Sequence, residues 1–179
     1  MDLLLPAAQA ALVVVFGFAF LTKMRDSGAF RMFRATVGRL LMRSGTVSTV
    51  AAAAFTGLEA MTAVFIVFPW TTRFGFACAA LLLVSFMAVV VRAVRGGVFG
   101  ECRCFGGRGA VLGYPLLVRN GFLLAIALCG VVLAHVRVSP LPFVLAALTG
   151  AAAAVALIRY WDGAVEAVLD RLRRARARG

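Results

Sequence analysis

Residues Phe74–Val94 read FGFACAALLLVSFMAVVVRAV. Until Arg92, near its end, this run holds no charged side chain. A helix needs about 20 mostly apolar residues to cross the hydrocarbon of a bilayer. Inside that hydrocarbon only a helix or a closed barrel satisfies its own backbone, and Ala, Leu and Val favour the helix. This stretch therefore sets the reading of the chain around it.

Four further runs meet the same test: Leu3–Leu21, Thr46–Phe68, Leu116–Ala134 and Leu141–Ile158. The composition agrees, with 63% of the 179 residues hydrophobic and 15% charged. Soluble chains run at about 45–50% apolar and about 25% charged. The expected fold is an all-α integral membrane protein, a bundle of four to five transmembrane helices. An amphipathic interfacial helix and a basic C-terminal helix complete it. The N-terminus has no basic lead-in, and its small residues precede the apolar run, so it reads as a retained first span rather than a signal peptide. Residues 1–161 form the expected membrane domain and 162–179 a basic amphipathic tail. Pro140 is placed to open the last span, after a short connection that suits a tight helical hairpin.

The interfacial helix is expected within Thr22–Gly45. Phe30, Met32, Phe33, Val37, Leu40 and Leu41 recur at spacings of three and four among Lys23 and arginines, a pattern that suits a helix lying on the membrane surface. In the tail, Val165, Val168, Leu169 and Leu172 repeat it, with acids early and arginines late.

The net charge of +12 comes from 19 basic and 7 acidic residues. The basic residues fall between, after or at the ends of the apolar runs, in the order 6-1-5-1-6 along the successive connections and the tail, with Arg92 and Arg119 counted in the third connection. That distribution points to lipid contact and topology, and no motif for nucleic acid accompanies it. By the positive-inside rule the N-terminus lies outside and the C-terminal tail is cytoplasmic, in a multi-pass protein of the cell membrane. The connection after the third span then lies on the cytoplasmic side or in the membrane near it, unless the first or last apolar run does not cross, in which case the sides are recounted.

That connection carries Glu101-Cys102-Arg103-Cys104-Phe105-Gly106-Gly107. A Cys-x-Cys disulfide closes a small strained ring, and strain makes it easier to reduce. The pair suits exchange, with Arg103 and Arg108 favouring the thiolate that attacks. Two unrelated cysteines in a glycine-rich loop is the plainer alternative. A zinc site is not expected: the pair offers two ligands, and the only histidine, His135, lies a span away. Cys78 and Cys129 read as small buried hydrophobes. Glu59 is the only carboxylate inside an apolar run; it must face protein, pair with a cation or hold a proton. Thr62 and Lys23 are its candidate partners. Lys23 and Asp26 close the first span as interfacial anchors. Arg119 and Asn120 open the fourth; Arg119 is a candidate to hold Glu101, attract a thiolate, bind a quinone carbonyl or snorkel to the interface.

Cys102-Arg103-Cys104-Phe105-Gly106 followed by Arg119-Asn120 resembles the motif of the methylamine utilisation protein MauE family, which is related to the DoxX-like group. Lys23, Asp26, Phe30 and Glu59 fall in the family's order, and the resemblance covers roughly residues 10 to 135. Arg103 departs from it, standing where the family has glycine. There it either favours a thiolate or hinders ring closure. The resemblance implies a redox-associated membrane protein that matures a disulfide-bearing client alongside a thioredoxin-like partner, in methylamine metabolism or another thiol pathway. The expected function is a membrane thiol–disulfide relay with Cys102 and Cys104 as the reacting pair. Arg103, Glu59, Arg119, Asn120, Lys23 and Glu101 support it, and a bilayer quinone is the one candidate cofactor. A non-catalytic assembly scaffold and a small-solute transporter built on Glu59 are the alternatives.

Overall fold

Each apolar run becomes a helix in the computed structural model, which describes residues 3–42, 45–95, 101–102, 110–111, 114–134 and 140–176. In chain order these are α1 (Leu4–Met24), α2 (Ser27–Leu41), α3 (Thr46–Val67), α4 (Thr72–Arg95), β1 (Glu101–Cys102), β2 (Ala110–Val111), α5 (Tyr114–Leu133) and α6 (Pro140–Arg176). Five helices are long and apolar enough to span a membrane. Large apolar side chains such as Leu81, Phe122, Val132 and Leu148 point outward. An all-round apolar surface of this kind is stable only with lipid against it. The protein is a multi-pass helical membrane protein.

The helix expected between the first two spans is α2, and its boundaries have local causes. Asp26 is its N-cap, with Oδ1 accepting the Ala29 N–H at 2.7 Å; such a cap satisfies one of the orphan donors of a first turn. At the other end Met42 adopts a left-handed conformation, φ 52°, and its N–H reaches back to the Arg39 and Gly38 carbonyls. α2 has the expected amphipathic character, and it folds onto α3 and α4. Phe33 and Val37 are buried with Ala52, Val90 and Leu116. The opposite stripe, including Met32, remains exposed.

The break between α1 and α2 decides which helix meets which half of α3. Lys23, in the last turn of α1, lies against Glu59, past the midpoint of α3. Thus α1 ends partway along α3, and α2 becomes the neighbour of the first half of α3. Two apolar clusters result. One joins α1, α4, α5 and α6 with the end of α3, through Leu12, Val15, Phe16, Ile66, Phe76, Leu83, Leu123 and Ala154. The other is the smaller group around Phe33.

The helical hairpin expected from the short connection before Pro140 is not how α6 packs. Residues 135–139 lie outside the described residues, but α6 makes its main interface with α1 and only slight contact with α5. The reason is steric. A Cβ on Gly150 would collide with the Ala7 carbonyl, so the two backbones touch there. Small residues at such crossings are how helices in lipid gain close packing without a hydrophobic drive. The basic tail is helical as expected, as the unbroken continuation of α6 past residue 161.

Candidate functional site

The two clusters meet at a polar spot. Lys23 Nζ donates to both Glu59 oxygens, at 2.6 and 2.7 Å. The same ammonium sits 4.6 Å from the centroid of the Phe33 ring, a cation–π distance. Lys23 is only 2% exposed. Of the two partners the sequence offered for Glu59, Lys23 takes the role; Thr62 Oγ1 is buried without a hydrogen-bond partner. Lys23 is therefore no interfacial anchor, because the chain turns inward at Arg25–Asp26 and leaves the ammonium facing α3.

An ion pair in apolar surroundings costs several kcal/mol per ion in lost hydration. Its attraction offsets this only when the geometry is close, as it is here. Ionisable side chains inside membrane proteins mark functional sites often enough to make this pair the first place to look.

Beside the pair lies a cavity of about 70 Å³, lined by side chains of α1, α2, α3, α4 and α5. Its walls are almost wholly apolar, with Phe33, Phe55, Phe86, Leu82 and Val89 prominent. The polar lining consists of Lys23, Glu59 and Asn120. By the rule that one water needs about 10–15 Å³ of such volume, there is room for roughly five waters or one small ring.

Asn120, in the second turn of α5, is 2% exposed, and its Nδ2 has no hydrogen-bond partner. An orphaned buried donor of this kind costs about 1–3 kcal/mol. Arg119 is also buried, at 3% exposure, so it does not snorkel to the interface. Its place on the inner face of α5 explains this: Leu116, Asn120, Leu123 and Ala127 are buried along the same side.

The cysteine motif enters and leaves at the same end of the bundle. It follows the C-terminus of α4 and precedes the N-terminus of α5, and α2 contacts α4 near that end. Strands β1 and β2 pair antiparallel, with Glu101 opposite Val111 and Cys102 opposite Ala110. Arg103 and Cys104 lie outside the described residues, as does His135; for Glu101 and Cys102 the described part is the backbone. Cys129 faces outward and Cys78 is partly buried, so neither is the fully buried side chain expected. Both sit on lipid-spanning helices, where an outward thiol meets acyl chains at little cost.

The structure thus brings Lys23, Glu59 and Asn120 to one cavity and places Arg119 beside it in sequence on the same buried face. Sequence reasoning missed the aromatic walls. Phe55 and Phe86 sit on uniformly apolar helices, where no periodicity distinguishes an inward ring from an outward one. Phe33 was visible as part of the α2 stripe, though not as a partner for Lys23.

No curated protein and no solved structure matches this chain. One family model does, over residues 1–134, which takes in α1 to α5 and stops short of α6. The matched segment contains the buried ion pair, Asn120 and the cysteine motif together: the chain belongs to the methylamine utilisation protein MauE family.

Proposed function

We propose that the protein is a membrane thiol–disulfide relay with Cys102 and Cys104 as its reacting pair. The observation that carries this reading is the Cys-x-Cys motif itself, in the connection between two spanning helices of a MauE-family protein. One cysteine attacks a partner disulfide as thiolate, forming a mixed disulfide, and the other resolves it. The relay's two thiols then become one disulfide, and the partner's disulfide becomes two thiols. Two electrons and two protons pass to the partner, and the reverse direction is equally balanced. A thioredoxin-like protein is the exchange partner, and a disulfide-bearing client is what the relay serves. Arg103 and Arg119 supply positive charge near the thiolate. Glu101, flanking the motif, and the Lys23–Glu59 pair hold charge and protons in balance around it.

The arginine distribution supports a loop and a C-terminal tail on the cytoplasmic side of the cell membrane. Labelling Cys102 in intact cells with a membrane-impermeant thiol reagent tests the side: no labelling until the cells are opened is expected. Replacing each cysteine in turn tests the chemistry. In Cys102→Ser and in Cys104→Ser, client disulfides are lost while the protein accumulates normally. Full function in both variants would refute the relay and leave an assembly scaffold as the reading.

A further inference from the structure

The cavity and its polar lining carry an inference that does not depend on the cysteines. Lys23 and Glu59 satisfy each other. Asn120 does not: it lines the cavity, is almost wholly buried, and its amide N–H has no acceptor. A buried donor left open beside an empty apolar space is matched by a ligand that brings an acceptor.

We propose that this cavity binds the ring of a bilayer-soluble carbonyl compound of the quinone class, with Asn120 donating to a ring carbonyl. Three features select that chemistry. The walls are apolar, so the ligand comes from lipid rather than water. The open polar group is a donor, which a carbonyl satisfies and an alkyl chain does not. Phe33, Phe55 and Phe86 line the space, and aromatic side chains pack well against a flat ring. The volume, about 70 Å³, suits one ring and not a phospholipid headgroup. Leu41, also on the lining, is partly exposed at the bundle surface and gives a ligand's chain a route to lipid. The lysine–glutamate pair stays intact in this arrangement and keeps a fixed dipole beside the ring.

The test is binding alone, with no turnover, so its result is independent of whether the relay reading stands. The full chain is reconstituted in phosphatidylcholine nanodiscs, and radiolabelled decyl-ubiquinone is measured by equilibrium binding. Saturable binding at one per chain is expected, displaced by the single-ring quinone duroquinone and not by decylcyclohexane, which matches the tail but has no carbonyl. Asn120→Leu removes the donor at similar volume. It weakens binding about tenfold, the effect of one hydrogen bond in an apolar site, and raises the thermal midpoint because the orphaned donor is gone. Val89→Phe fills the cavity and abolishes saturable binding, giving a second reading should the first variant fold poorly. Displacement by decylcyclohexane as efficient as by duroquinone, or wild-type affinity in either variant, would overturn the proposal.

Discussion

The seam between α1 and α6 and the junction of α1, α2 and α3 hold the bundle together by opposite means. At the seam, Gly150 lets one backbone rest on the other at Ala7, and shape alone does the work. At the junction, a buried ammonium, a carboxylate and an aromatic ring meet beside unfilled space. Tight apolar packing leaves nothing over for chemistry. An ion pair next to a cavity is less economical as an adhesive, and a fold that retains one has kept a polar group where a ligand can reach it. The contrast separates a contact made by shape alone from one that holds polar groups beside open space.

The largest expected effect comes from unbalancing the junction. Glu59→Leu strands the Lys23 ammonium and is expected to cost about 3–5 kcal/mol, read as a large fall in the thermal unfolding midpoint in detergent. The double variant Lys23→Met/Glu59→Leu is expected to recover most of that loss, since a packed apolar pair often equals a buried salt bridge. Equal destabilisation by the single and double variants would show that the pair is not the coupled unit inferred.

At the seam, Gly150→Val forces a branched side chain into the Ala7 backbone. Overpacking of this kind costs about 1–3 kcal/mol, and it should loosen α6 from α1 while leaving the Lys23–Glu59 pair in place. A cysteine crosslink between the two helices that still forms at wild-type rate in the valine variant would contradict the contact. Gly17→Ala is the matched control, because a Cβ there meets nothing within 4 Å; it is expected to be neutral or slightly stabilising.

The smallest effect is at the hinge that brings the two regions together. Asp26→Ala removes the α2 N-cap and is expected to cost about 1 kcal/mol. Faster amide exchange confined to the first turn of α2 is the signature; a change spread over α1 and α6 would mean that the two regions are coupled more tightly than their packing indicates.

How much of the molecule is readable from its sequence depends on the range of each interaction. The five spans were legible to within a few residues, because bilayer thickness fixes a length and apolar runs announce it. The α2 helix was legible from the spacing of Phe30, Phe33, Val37 and Leu41. Its docking was not, since one apolar stripe fits lipid and protein equally well. Glu59 stood out as a lone carboxylate, yet choosing Lys23 over Thr62 required knowing where α1 ends. Arg119 was left open between a snorkelling role and inward ones, because position in a helix says nothing about which face meets lipid. The α1–α6 seam was the least legible: Gly150 is one glycine among 18, and only its encounter with Ala7 gives it meaning.

One dimension of α6 reaches beyond packing. At about 1.5 Å per residue, Pro140–Arg176 forms a rod about 55 Å long, against roughly 40–45 Å for a whole bilayer with its headgroups. Even standing upright, it overshoots by about 10 Å. Because α6 is keyed to α1 near Gly150, well before that far end, it behaves as an outrigger. A small tilt at the fulcrum becomes a wider sweep of the arginine-bearing tip.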